Sequence, residues 1–217
     1  MKKIWIYASR LVLLGLLVVP AVFAALTPDQ ELPKEPFARG VALVQRGKHA
    51  EAKELFDVIL KTDPGRKDVL YYRGVALLGL NNPDAAWEDF SRALKIDPMY
   101  PLGYVGRAQV WVKRENYAEA MKAVDTALAR EPRCAEAHYQ KGIVFGWQKR
   151  TDDAIAAFQR CLEITPDHAY AHYQLGLAHN QKKRKDLAVI HLDKFLVLAP
   201  LAPEAGQVRN LLNFLRR

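Results

Sequence analysis

Apolar and small residues recur along this chain at the spacing of amphipathic helices. Between Ala135 and His168 they form two sets: Ile143, Phe145 and Trp147, and then Ala154, Ala157, Phe158 and Leu162. This spacing predicts one helix from about Ala135 to Lys149 and a second from about Asp152 to Thr165. The stretch is therefore read as a helix–turn–helix unit.

The unit recurs at a fixed step of 34 residues, and no insertion interrupts the series. Its thirty-second position holds Pro64, Pro98, Pro132, Pro166 and Pro200, and its twentieth holds Ala52, Ala86, Ala120, Ala154 and Ala188. Its eighth position holds Gly40, Gly74, Ala108, Gly142 and Gly176. Proline disfavours the α conformation in the residue before it, so each second helix must end there. Small residues at the eighth and twentieth positions indicate that the two helices cross closely. An all-α repeat fold follows.

This pattern resembles the tetratricopeptide repeat (TPR) family. The matching residues in the second copy are Gly74, Ala86, Phe90, Ala93 and Pro98, and in the fourth Gly142, Ala154, Phe158 and Pro166. The third copy departs from the pattern, because Ala108 replaces glycine. The resemblance implies a right-handed superhelical solenoid over residues 36–202, with units at 33–66, 67–100, 101–134, 135–168 and 169–202. Residues 203–217 suit a capping helix with one apolar side, formed by Val208, Leu211, Leu212 and Leu215.

The resemblance also implies a groove lined by the first helix of each unit. The positions that would face it hold Phe37, Val41, Val44, Tyr71, Tyr72, Val75, Leu78, Val105, Gln109, Val112, Tyr139, Gln140, Ile143, Trp147, Tyr173, Gln174, Leu177 and Asn180. Aromatic and aliphatic groups with interspersed amides favour an apolar or amphipathic segment of a partner protein. Part of this row could instead pack between neighbouring units. The Lys, Arg and Asn set with which some family members grip a C-terminal carboxylate is missing here.

The N-terminal residues 1–24 have the layout of a secretory signal peptide. A basic start and an apolar run, Leu11 to Val19, precede small residues at Val22 and Ala24. The alternative is an uncleaved membrane anchor of residues 4–26, although a span needs about 20 apolar residues. Either segment would place the repeats outside the cytoplasm, by the positive-inside rule. They would then be periplasmic, secreted or membrane-anchored, and residues 25–35 would be a linker.

The net charge of +8 falls to +5 when Lys2, Lys3 and Arg10 are removed with the N-terminal segment. This moderate charge bears on solubility and encounter rates and does not indicate nucleic-acid binding. Basic residues gather at the turn inside each unit, and stacking of the turns would make a ridge of Arg46, Lys48, Lys113, Arg114, Lys149, Arg150, Lys182, Lys183, Arg184 and Lys185. The ridge is either solvated or a contact for anionic lipid or an acidic partner.

Candidate chemistry is sparse. Cys134 and Cys161 could meet as a disulfide if the start of one helix lies beside the end of another, but a buried thiol explains Cys161 equally well. His168, His172 and His179 could place metal ligands along one helix side, yet His172 stands where the family packs an aromatic ring. The chain has no CxxCH, paired CxxC, glycine-rich phosphate loop or GxSxG motif. We expect a non-enzyme without cofactor or metal.

These observations favour an exported TPR adaptor that holds partner proteins during assembly of an envelope complex. The export segment, the aromatic groove and the lack of a catalytic motif motivate this hypothesis. The alternative is a self-associating TPR scaffold at a membrane surface.

Overall fold

Five helical hairpins follow one another along the chain, and a single helix comes last. The computed structural model describes residues 31–217, where we find eleven α-helices and no strand. The helices are α1 (Pro36–Gln45), α2 (His49–Thr62), α3 (Lys67–Gly79), α4 (Pro83–Ile96), α5 (Pro101–Lys113), α6 (Tyr117–Arg130), α7 (Ala135–Trp147), α8 (Thr151–Ile164), α9 (Ala169–Gln181), α10 (Lys185–Leu198) and α11 (Ala205–Leu215). The predicted all-α repeat fold with its final helix is confirmed. The predicted signal or anchor, residues 1–24, lies outside the described residues.

Each second helix ends just before its proline. In α8, for example, Thr165 is the C-cap with φ −129° and ψ 87°, and Pro166 follows it. This is the extended conformation that proline imposes on its predecessor.

Among the described residues, no helix is long and apolar enough to cross a membrane.

Each turn inside a hairpin is closed by a residue in the left-handed conformation. The five residues, all at the fifteenth position of their units, have φ between 58° and 72°: Gly47, Asn81, Glu115, Lys149 and Lys183. The next residue donates its backbone N–H to a carbonyl of the first helix, as in the 2.9 Å bond from Arg150 N to Phe145 O. This bond satisfies a helix-end carbonyl. The turn geometry is therefore the same in units whose turn residues differ.

In the first, second and fourth units, the glycine at the eighth position lies against a phenylalanine ring of the second helix, and in the fifth it lies against Leu192. A Cβ atom added to Gly74 would lie 2.4 Å from Phe90 Cε1, and one added to Gly106 would lie 2.3 Å from Phe90 Cδ1. The Phe90 ring is thus wedged between α3 and α5. Val124 occupies the place of this phenylalanine in the third unit, and its smaller side chain accounts for Ala108 there.

A network of ion pairs joins neighbouring hairpins. Arg73 on α3 donates from Nη1 to Asp57 of the preceding hairpin at 2.7 Å, and from Nε to Asp89 of its own hairpin at 2.8 Å. The Asp89 side chain is only 6% exposed, so this pair is largely removed from solvent. At the equivalent positions two units later, Lys141 and Asp125 form a more exposed pair at 3.1 Å.

The C-terminal cap reaches the first hairpin. A Cβ atom on Gly47, in the α1–α2 turn, would lie 2.6 Å from Pro203 Cγ. Burial lowers the pKa of His49 in the same hairpin, and the negative charge of Glu204 opposes that shift. Helix α11 packs on α10 through Val208, Leu212 and Leu215. The last helix therefore covers the fifth unit while the segment before it contacts the first.

Candidate partner-binding site

The first helices of successive hairpins pack side by side and form one wall. Helix α1 packs against α3, α3 against α5, and α5 against α7. The residues predicted to line a groove all lie on α1, α3, α5, α7 and α9. Their exposure separates those that could meet a partner from those that hold the units together.

Three of the predicted groove residues are buried. Tyr71 is 4% exposed, Val105 is fully buried, and Gln140 is 3% exposed. The Tyr71 ring packs 5.9 Å from the Phe90 ring, in a core cluster that includes Val110 of the third unit. These side chains offer almost no surface to a ligand. Their burial fits the alternative expectation, in which part of this row packs between neighbouring units.

The other two tyrosines at this repeat position are half-buried and also pack on core aromatics. The Tyr139 ring lies 5.7 Å from Phe158, and the Tyr173 ring lies 5.1 Å from Phe195. Burial raises the pKa of the Tyr139 hydroxyl well above its usual range, and a hydrogen bond with Gln174 opposes the rise. Tyr139 and Tyr173 are thus only partly available to a ligand.

Six more of the predicted residues are half-buried against the cores of the first two units. Phe37, Val41, Val44 and Tyr72 pack on the first core, and Val75 and Leu78 on the second. Gln109, Val112 and Asn180 are half-buried. None of these side chains has a large exposed area.

A cavity of about 350 Å³ opens between α7, α8 and α9. Four of its lining residues were predicted for the groove: Ile143, Trp147, Gln174 and Leu177. The other lining residues are the buried Gly142, Ala154 and Phe158, together with Gly146, Lys149, Thr151, Ala178 and Gln181. Gln181 occupies the same unit position as Trp147, so the repeat register could have identified it. The walls are mostly apolar, and amide groups stand at the side of α9.

Trp147 is the exposed aromatic residue at this cavity. Its side chain is 60% exposed at the C-terminal end of α7. The indole stacks on the Tyr117 ring of the preceding hairpin, with centroids 6.2 Å apart and an interplanar angle of 11°. A Cβ atom added to neighbouring Gly146 would meet nothing within 4 Å, so the cavity mouth is open there. Stacking on Tyr117 orients the indole while one face remains available.

The family model described as tetratricopeptide repeat matches residues 37–101, 105–169 and 148–203. The chain belongs to the TPR family. TPR proteins bind peptide or protein partners and are generally scaffolds rather than enzymes. A comparison with curated protein sequences finds no match.

Solved TPR structures share this fold. TTC0263, a thermophilic TPR protein of Thermus thermophilus, has a TM-score of 0.69 and 23% identity, over 83% of this chain and 97% of that one. A tetratricopeptide repeat protein from Parabacteroides merdae has a TM-score of 0.68 and 18% identity, over 84% of this chain and 70% of that one. At this identity the likeness concerns the fold alone.

The two cysteines of the TPR domain are free thiols in this structure, so the predicted alternative of a disulfide is not formed. Cys134 is the N-cap of α7, Cys161 lies in α8, and both are buried. Burial raises the pKa of the Cys161 thiol to about 12. Each cysteine therefore acts as a small apolar residue at a packed position.

The histidines of the last TPR unit contact one another. His172 Nε2 lies 3.0 Å from the Pro166 carbonyl oxygen and must donate to it, so His172 Nδ1 accepts from His191 Nδ1 at 2.9 Å. The His179 ring stacks on His191 at 5.6 Å. His168 instead caps α9 by accepting from Ala171 N. Within residues 31–217, no group of three or more His, Cys, Asp or Glu is arranged to hold a metal.

Proposed function

We propose that this TPR protein is an extracytoplasmic adaptor whose cavity between α7 and α9 binds an apolar side chain of a partner protein. The observation that carries the proposal is the 60% exposed Trp147 beside a cavity of about 350 Å³. Ligand pockets in proteins range from about 300 to 1,000 Å³. A cavity at the lower end of this range suits one or two anchoring side chains of a segment that continues along the wall.

The chemistry of the lining favours a peptide segment with apolar anchors. Ile143, Leu177 and Trp147 supply apolar contact, and Trp is among the residues that most often dominate binding energy at interfaces. The side-chain amides of Gln174 and Gln181 can both donate to and accept from a peptide backbone. Such a site would give an affinity on the order of micromolar, or about −8 kcal/mol.

The N-terminal sequence supports the cellular part of the proposal. A basic start followed by an apolar run and small residues is the layout of an export segment, cleaved or retained as an anchor. A repeat domain outside the cytoplasm that binds other proteins fits the assembly of an envelope complex. N-terminal sequencing of the mature chain and a topology reporter fused after Arg217 would test export. A cytosolic reporter would refute it.

Site-specific crosslinking tests the cavity. A photoreactive amino acid at Trp147 should capture a partner in envelope fractions, whereas the same group at Phe214, which is 68% exposed on α11, should not. Trp147→Ala should then weaken binding of the captured partner by at least tenfold, and Phe214→Ala should leave it unchanged. Equal capture at both positions would refute the assignment of the cavity as the binding site.

A further inference from the structure

The outer side of α10 carries a row of exposed aliphatic side chains. Leu187, Ile190 and Val197 are 40%, 60% and 60% exposed. Their spacing of three and seven residues places them along one side of the helix over about 15 Å, with Asp193 and Lys194 between Ile190 and Val197. We call these three residues the α10 row. It lies on a second helix, whereas the cavity at Trp147 opens beside first helices.

The α10 row has no counterpart in the other units. In the fourth unit the same positions hold Asp153, Ala156 and Glu163. In the first three units they hold Glu51, Glu54, Lys61, Ala85, Glu88, Lys95, Glu119, Lys122 and Ala129. The repeat fold therefore does not require apolar residues at these positions. A cluster of exposed aliphatic side chains that the fold does not need indicates a contact surface.

The excess positive charge of the repeat domain lies in the part of the sequence that carries this row. Residues 182–217 contain eight Lys and Arg against three Asp and Glu, whereas residues 27–181 contain twenty-one of each kind. Lys183, Arg184 and Lys185 are exposed and precede the row, and Asp186 separates them from Leu187. The last unit and its cap thus combine an aliphatic surface with a net charge of +5.

We infer that the α10 row docks on an anionic lipid surface. Aliphatic side chains flanked by Lys and Arg are the features with which helices lie in the interface of anionic membranes. A second copy packed on the same row would bring two surfaces of equal positive charge together, which charge repulsion opposes. Peptide sites are typically concave, whereas this row lies on the outward side of a helix; a lipid surface can conform to it.

The test places an environment-sensitive fluorophore on the full-length chain. Ile190→Cys carries the probe, and Ala156→Cys is the matched control from the unit before; the native thiols are buried and therefore poorly labelled. The probes are read with vesicles of phosphatidylcholine alone and of an equal mixture with phosphatidylglycerol. Comparison of two sites on one chain separates contact at the row from effects that reach both probes alike.

The inference predicts a blue shift at position 190 with the anionic vesicles only, and none at position 156. Neutralising Lys183, Arg184 and Lys185 with glutamine should weaken the response about fivefold for each charge removed, and added salt should weaken it as well. Equal shifts at both positions, or equal shifts with both vesicle types, would overturn it. A blue shift that rises with protein concentration without vesicles would show that the row binds a second copy of the chain instead. A blue shift produced by polyglutamate alone would show that it binds an acidic partner.

Discussion

The contact between Gly74 and Phe90 in the second unit can be tested by introducing the residue pair that the third unit carries. In the second unit, Gly74→Ala places a Cβ atom 2.4 Å from Phe90 Cε1, and Gly106 presses on the other side of the ring. The ring is fully buried and cannot move aside. Overpacking costs about 1–3 kcal/mol, whereas alanine in a helix gains about 0.8–1 kcal/mol over glycine. We expect a net loss of about 1 kcal/mol.

The third unit provides the compensating change, since it pairs Ala108 with Val124. Phe90→Val alone should cost about 2–3 kcal/mol through the cavity that it leaves. The double variant Gly74→Ala/Phe90→Val should be more stable than the sum of the single changes by about 1 kcal/mol or more, because alanine occupies part of that cavity.

Urea unfolding followed by circular dichroism would measure these free energies. Gly146→Ala is the matched control, because a Cβ atom there meets nothing within 4 Å and the variant should be stabilised by about 0.8–1 kcal/mol. If the effects of the two single changes add up to the effect of the double variant within about 0.5 kcal/mol, the Phe90 ring does not restrict position 74.

Three further predictions concern ionisable groups. Arg73→Met should cost about 3–5 kcal/mol because it leaves the buried Asp89 carboxylate without its partner, whereas Lys141→Met at the exposed equivalent should cost less than about 1 kcal/mol in the same urea assay. Burial and two neighbouring histidines lower the pKa of His191 to about 4. The unfolded chain therefore binds more protons below about pH 6.5, stability should fall as pH decreases from there to 4, and His191→Ala should reduce that fall in thermal melts. The buried Cys161 should react with a thiol reagent at pH 8 only as fast as the protein unfolds, so rapid labelling of folded protein would contradict its raised pKa.

The fold was predictable because each constraint on it repeats. Proline at position 32 ends five helices in the same way, and a small residue at position 8 gives each phenylalanine or leucine its space. A residue pattern that fitted one unit by chance would not recur in the next unit. The left-handed turn residues were not predictable, because Glu115, Lys149 and Lys183 are not residues that favour positive φ. There the repeat geometry overrides the local preference.

The candidate site was predicted only in part, because the repeat register locates a helix face and not the exposure of each residue on it. Tyr71, Tyr139 and Trp147 all lie on this face by register. Tyr71 is buried since Phe90 and Tyr72 pack against it, whereas Trp147 lies at the end of α7, beyond the ring contacts of the core. Exposure depends on the side chains packed around each residue, which differ between copies.

This difference between copies also indicates which positions of a repeat protein can contribute to ligand binding. Positions that every unit shares must satisfy the packing of helix on helix, so they carry little information about a ligand. Positions where one unit departs from the others are free of that requirement. The α10 row is such a departure, because aliphatic residues replace charged residues and alanine without any change in the fold around them. Trp147 is another, since the equivalent residues are Gln45, Gly79, Lys113 and Gln181. Surfaces that distinguish single units are therefore the ones on which partner specificity should depend.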